Sequence, residues 1–583
     1  MKTIFRWRSG VGVLAVALMC VCAVAVGGGQ SRPRRFVPVT DAMLQKPDPA
    51  DWLMWRRTLD GWGFSPLNQI SRTNVAQLRM VWTRGLGPGN QEGTPLIHDG
   101  VMYIPSAGDF ILAVEATTGD LLWEYKRKLP EGVRPKTNRT LAMWGNTIIN
   151  SSSDNFIYAL DMQDGKLVWE TPVLDPTKRA PTSGGPIIAN GKVITGRQCQ
   201  PDAGNDSCVV TAHDAKTGKE LWRFHTIPRP GEPGDESWGG VPMEQRWHVG
   251  TWMVPSYDPD LNLVIIGTSV TIPAPKFTLA GNDKQYLFHN CTLALNADTG
   301  KMVWYYQHIV DHWDLDHPFE RLLVDTVVAP NPREVHWINP KIRPGERRKV
   351  VTGIPGKTGV VYTLDRATGE FLWARPTVMQ NVISNIDGAT GKVIVNPEVT
   401  FTKLNDERFV CPGSNGGKNW PAGAYNPLTN TMYMPLQNLC MTATTTTDQR
   451  DPSKVYGITM KQEFAIGADK VGTVWAIAAD TGQVAWKYEQ RAGTLSLVAT
   501  GGGLVFGGDA NGRFRALDDR TGAVLWETIV GSPTSGYPVT FAVGGKQYVA
   551  VTTGPSLAAN SDERVTPELR TGNAPNVFVF ALP

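Results

Sequence analysis

One hairpin recurs seven times along this 583-residue chain, an eighth copy is divided between its two ends, and no long i, i+3, i+4 pattern marks a major helix. Together these predict an all-β fold: an eight-bladed β-propeller with Trp-docking repeats, its last blade closed by both termini. The copies read ILAVEATTGDLLWEY, IYALDMQDGKLVWET, VTAHDAKTGKELWRF, TLALNADTGKMVWYY, VYTLDRATGEFLWAR, VWAIAADTGQVAWKY and FRALDDRTGAVLWET. Each has a Gly four residues before its Trp, from Gly119/Trp123 to Gly522/Trp526. A Gly after Asp/Thr suits a hairpin position with positive φ, and the apolar alternation on either side suits two antiparallel strands. The indole at a fixed offset is then free to dock on the next unit. LRMVW at the N-terminal side and VFVFAL at the C-terminus supply the two halves of the eighth copy. Zipping them together removes the open edges of a fan of sheets.

Composition agrees with many short strands and turns: 60 Gly, 42 Pro and 20 Trp. The net charge of +3 is nearly balanced, and no Lys/Arg run interleaved with aromatics marks a nucleic-acid surface, so a small-molecule partner is expected. The N-terminus has a basic start, an apolar run from Val11 to Val26, and Ala23-Val24-Ala25 as an A-x-A site. That pattern predicts a signal peptide over 1–25, a mature tail over 26–35 and a single propeller domain over 36–583, exported to the periplasm without stable membrane insertion. An uncleaved anchor is the alternative. Export makes disulfides possible. Cys199 and Cys208 flank a short polar loop and Cys411 and Cys440 a Gly/Asn/Pro-rich one, so these pairs are expected, with Cys291 left as a small buried residue.

The spacing of the tryptophans is uneven, and the excess length falls between Trp222 and Trp486. Insertions on a rigid scaffold are where chemistry is placed. One of them carries HIVDHWDLDHPFE, from His308 to Glu320, with three histidines and four carboxylates. A metal site, a general base and a merely solvated loop are all open to such a cluster.

The repeated A-x-D-x-x-T-G-x-x-x-W hairpin together with WDLD resembles the quinoprotein alcohol dehydrogenases, periplasmic propellers that use pyrroloquinoline quinone (PQQ) and a bound metal. QEGTPL, TNRTLAMW, VGTWMVPSYDP, HWDLD, GKTG and CPGSNGGKNWPAGAYNP carry the resemblance in the family's order, over essentially the whole mature chain. It implies that Trp252 is the flat floor under the tricyclic quinone. It further implies that Glu92, Arg139, Asn419 and Trp420 contact the cofactor, with Ser183 a weaker contact and Arg139 offering a fork to a carboxylate. Lys357 would lie by the quinone oxygens. Asp314 would be the general base and a metal ligand, and Asp316 the extra carboxylate that lanthanide-using members place on the metal. The histidines are poorer ligands for Ca²⁺ or a lanthanide, which demand hard oxygens.

Three departures qualify this. No cysteine stands near Val133-Arg134, where the family has an adjacent pair over the quinone. No Glu occurs in RQCQPDAGNDSC, which leaves Gln200, Asp202 or Asp206 for the metal, and Asp202 is preferred. Val270 occupies the place of a metal-binding Asn, so Thr268, Ser269 or Thr271 must substitute, and Thr271 is preferred. The family's second active-site Trp is also missing near Thr494. Smaller residues above the quinone imply a bulky secondary alcohol, and the resemblance is nearest to haem-free members acting on such alcohols, with oxidation of deoxynivalenol at its 3-hydroxyl the first case to consider. No C-x-x-C-H and no G-x-G-x-x-G after a strand are present, so electrons are expected to leave to a separate cytochrome c, quinone or dye. A non-enzymatic propeller scaffold of the envelope is the rival reading, with a secreted hydrolase a third.

Overall fold

Small residues decide where the large ones can lie. In the computed structural model each repeat is an antiparallel pair, and the repeat Trp sits opposite an Ala: Ala113 faces Trp123, Ala159 faces Trp169, Ala212 faces Trp222, Ala294 faces Trp304, Ala476 faces Trp486 and Ala516 faces Trp526. Thr363 replaces Ala opposite Trp373. Next to these pairs the register slips.

The glycines then explain the docking. A Cβ on Gly119 would fall 2.6 Å from the Trp82 indole, and one on Gly165 2.6 Å from that of Trp123. Gly218, Gly300, Gly369 and Gly522 are likewise covered by Trp169, Trp222, Trp304 and Trp486. Each of these six Trp therefore rests on the hairpin of the repeat that follows it. Trp82, Trp123, Trp222, Trp304 and Trp486 add a bond from Nε1 to a carbonyl just before that glycine, at 2.9 to 3.1 Å. Trp373 departs from the pattern because Val335, from an insertion, comes between it and Gly482.

The structure describes residues 36–180, 182–200, 203–446, 456–562 and 564–583. Val37–Pro583 forms one compact unit. Among the described residues there are eight sheets of four or five strands. In one of them Arg79–Gly85 pairs with Asn576–Ala581, joining the two ends of the chain in one sheet. The expected signal peptide and tail lie outside the described residues. No helix among those residues is long and apolar enough to cross a membrane.

The longest insertion builds a two-stranded sheet, Ile383–Ile386 with Val393–Val395, and a three-stranded one from Glu407–Val410, Leu439–Thr445 and Ile458–Phe464. Cys411 and Cys440 form a disulfide at its base, with Cα atoms 4.4 Å apart. Cys199 and Cys208 form the other, and Cys291 is free and buried. Both pairings and the unpaired cysteine match the sequence expectation.

Candidate active site

Six segments reach the site from equivalent places in successive repeats, each ahead of the first strand of its sheet, and a seventh, carrying Lys357, comes from within the sheet that Asp314 precedes. Glu92 precedes the strand Leu96–His98, Arg139 precedes Ala142–Trp144, Ser183 precedes Ile187–Ala189, and Trp252 precedes Ser256–Asp258. Asp314 precedes Leu322–Val328, Lys357 lies between Glu346–Gly353 and Val360–Asp365, and Asn419-Trp420 precedes Ala424–Asn426. Equivalent positions in a repeat share one face, so residues far apart in sequence converge.

The acidic loop meets the lysine directly. Lys357 Nζ lies 2.8 Å from Asp314 Oδ1 and 4.0 Å from Asp316 Oδ2. Burial pushes Asp314 up to about 7, Asp316 adds to the rise, and Lys357 opposes it. Burial also works against the lysine's charge, but Asp314 and Asp316 outweigh it and push Lys357 up. The side chain of Asp314 is 15% exposed against 7% for Lys357, so the carboxylate is the member of the pair with access to a substrate.

Asp316 is held on both oxygens. Val270 donates its backbone N–H to Oδ1 at 2.8 Å, and the Trp252 indole donates to Oδ2 at 3.2 Å. The indole is thereby fixed in orientation. Asp311 fixes the loop from the other side, accepting from the N–H groups of Trp313 at 2.9 Å and Leu315 at 2.6 Å, on either side of Asp314. A short carboxylate bonding the backbone two residues on is a turn-forming habit of Asp, and the D-x-W spacing is the signal that reveals it.

Arg139 lies between two tryptophans, its Cζ 5.2 Å from the Trp252 ring and 5.1 Å from the Trp420 ring. Its fork is not free for a ligand carboxylate. One terminal nitrogen pairs with Glu92 and the other donates to Ser183 Oγ at 2.5 Å. Glu92 is 1% exposed, burial raises its pKa, and Arg139 opposes that rise, which is why the guanidinium is drawn to it. Arg139 Nε and Trp420 Nε1 are buried and without a partner. Asn419 spends its amide on its own loop, donating to Asn415 O at 2.8 Å and accepting from Trp420 N at 2.8 Å.

The expected metal substitutes fare differently. Asp202 lies outside the described residues. Thr271 donates to Trp247 O at 2.9 Å, Thr268 to Phe288 O and Ser269 to His248 O, so all three hydroxyls face backbone carbonyls. The group beside Asp316 is the Val270 amide, which a search of side chains alone overlooks. Asp206 is an exposed partner of Arg229. No group of three or more His, Cys, Asp or Glu suited to a metal occurs among the described residues, leaving Asp314 and Asp316 as the hard oxygen pair. The histidines hold the loop instead. His308 and His317 stack at 5.1 Å, His308 Nε2 pairs with Thr292 Oγ1 at 2.7 Å, and His317 Nδ1 bonds Leu315 O at 2.7 Å. Burial keeps His312 and His317 uncharged by lowering both to about 3.

Comparison with known proteins bears on the family and the fold. The family model for the glucose/ethanol/alcohol dehydrogenase β-propeller (PQQ) domain matches residues 52–382 and 468–549. A second model, the outer membrane protein assembly factor BamB, matches only residues 289–488. The dehydrogenase subunit of an alcohol dehydrogenase (quinone) from Komagataeibacter europaeus is 33% identical over 564 residues, covering 88% of this chain and 73% of that one. Among solved structures, quinohemoprotein alcohol dehydrogenase ADHIIG from Pseudomonas putida superposes with a TM-score of 0.79 at 29% identity, over 94% of this chain and 82% of that one. A europium-containing methanol dehydrogenase gives 0.81 at 27%, over 93% and 99%. With a family match over more than half of its length and an acidic-loop lysine pair facing a buried indole, this chain belongs to the PQQ-dependent quinoprotein alcohol dehydrogenases and is an alcohol oxidoreductase.

Proposed function

We propose that the eight sheets are the blades of one ring closed by the two chain ends, and that the protein is a periplasmic dehydrogenase oxidising bulky secondary alcohols with PQQ. The observation that carries the reading is the Lys357–Asp314 pair beside Trp252. Buried donors without partners on Arg139 and Trp420 suit a flat ligand rich in acceptors, so the residues fit PQQ. Trp252 would be its floor, Arg139 and Trp420 would meet its polar edge, and Lys357 would face its quinone oxygens. Asp314 and Asp316 would hold a Ca²⁺ or lanthanide ion, whose contribution is Lewis acidity. PQQ, when bound, supplies a two-electron acceptor for the substrate hydrogen.

Asp314 takes the hydroxyl proton of the alcohol. Lys357 favours its ionised form, and Asp311 keeps the carboxylate aimed by gripping the amides on either side. Such a positioned base is worth about 10² to 10⁴ in rate. The buried, two-sided hold on Asp316 keeps Trp252 from turning as substrate enters.

The residues that stand in place of the family's cysteine pair and second Trp support the substrate class. Val133 is half-buried and Arg134 exposed where the family's cysteine pair would stand, and Thr494 turns its hydroxyl to Leu436 O. Dye reduction with PQQ and Ca²⁺ should therefore show higher kcat/KM for cyclic secondary alcohols, deoxynivalenol among them, than for methanol or ethanol. A strong preference for methanol contradicts the substrate assignment. Electrons would leave to a separate cytochrome c, quinone or dye.

A further inference from the structure

Behind the aromatic walls of the site lies a set of buried charges that the reaction above does not use. Glu320, Lys418, Arg56 and Arg321 are each 2% exposed or less. Glu320 accepts from Lys418 Nζ at 2.6 Å on one oxygen and from Gly423 N–H at 2.9 Å on the other. Arg56 donates through one terminal nitrogen to the carbonyls of Gly423 and Leu497 at 2.5 and 2.6 Å, while its Nε and its second terminal nitrogen have no partner. Arg321 bonds only neutral groups: the carbonyls of Phe319 and His317 and the hydroxyl of Thr292. Glu320 is the carboxylate that acts on all three cations. Three positive charges thus share one negative charge.

Two of these cations, Lys418 and Arg56, stand one aromatic ring away from the site. Lys418 Nζ is 5.2 Å from the Phe319 ring, and Phe319 meets Trp252 edge-on with centroids 5.5 Å apart. Arg56 Cζ is 5.9 Å from the Tyr537 ring, which meets Trp420 at 5.8 Å and donates its hydroxyl to Trp420 O at 3.2 Å. Uncompensated buried cations are costly, and a polyanion arriving on the far side of these rings offsets that cost. Low-polarity rings between the charges screen them little.

We propose that Arg56, Arg321 and Lys418, offset by Glu320 alone, form an electrostatic seat behind the site that holds a polycarboxylate cofactor without touching it. The proposal rests on the cofactor reading above and assigns positioning residues, not catalytic ones. Charge, not shape, then sets the direction of every effect.

The test is titration of PQQ into the metal-loaded apo-protein, followed by quenching of tryptophan fluorescence, with folding checked by circular dichroism. Lys418→Gln removes one positive charge and should weaken PQQ binding by about tenfold or more. Glu320→Gln adds one and should tighten it. The double variant restores the original net charge and should bind as the parent does. Arg56→Met, which breaks no ion pair, should weaken binding as Lys418→Gln does and serves if the paired variants fail to fold. The uncharged trimethyl ester of PQQ should respond to none of these changes. Equal PQQ affinity in Arg56→Met and the parent overturns the proposal, as does loss of affinity in both Glu320→Gln and Lys418→Gln. A parent protein that binds no PQQ at all contradicts the cofactor reading instead.

Discussion

Asp314 Oδ1 and Lys357 Nζ are 2.8 Å apart, although they come from two different segments. The pair divides the work: the carboxylate is the open member, and the ammonium favours its charged form. Lys357→Ala is expected to leave PQQ bound while turnover falls by at least about a hundredfold, since both the ionised base and the cation by the quinone oxygens are lost. Loss of PQQ affinity with normal turnover at saturating cofactor would show that Lys357 is merely a binding residue.

Trp252 has two separable roles, a flat face and an N–H that holds Asp316 at 3.2 Å. Trp252→Phe keeps the first and removes the second. It should retain PQQ but need more Ca²⁺ or lanthanide for half-maximal activity, whereas Trp252→Ala should lose PQQ as well. Equal metal requirements in Trp252→Phe and the parent would remove the indole from the Asp316 arrangement.

The docking of each Trp on a glycine has a stability consequence. Gly165 has φ +72° and a Cβ there would meet Trp123 at 2.6 Å, while Gly132 has φ +83° with open space around it. Alanine at Gly132 should cost only the left-handed strain of about 1–2 kcal/mol. At Gly165 overpacking adds about 1–3 kcal/mol. Denaturant midpoints that fall equally for the two variants would refute the docking role.

How much of this was legible in the sequence follows from where each signal resides. The hairpins were legible because Gly, Ala and Trp are constrained within one repeat, and the repeat travels intact. Ordered motifs singled out Trp252, Asp314, Lys357 and Arg139, and the structure brings them together. Partnerships were not legible. That Arg139 spends its fork on Glu92 and Ser183, or that the Val270 amide holds Asp316, depends on distances across repeats that no spacing encodes. Lys418 and Glu320 are 98 residues apart and meet only because their segments converge at the same site. That the Thr271 hydroxyl turns to the Trp247 carbonyl was not legible either, because a sequence gives a hydroxyl but not its direction.

Two buried histidines, His308 of the acidic loop and His289 outside it, set a pH limit. His289 and His308 are fully buried, and burial holds both well below the ordinary 6.5. As pH falls through 6.5 the unfolded chain takes up these protons and the folded chain does not, so the stability they contribute is complete above 6.5 and is lost below it. The urea midpoint should drop between pH 7 and pH 5, and the gap between the parent and His308→Leu should narrow over that interval. A gap independent of pH would mean that His308 is not held neutral.

The central claim, that Asp314 is the base of a PQQ-dependent alcohol oxidation, is tested most directly by single-turnover reduction of bound PQQ by a secondary alcohol, compared between the parent and Asp314→Asn. Both proteins should bind the cofactor equally, and the rate should fall by at least about a hundredfold in the variant. Near-equal rates in the two proteins would contradict the account and return the acidic loop to a structural role.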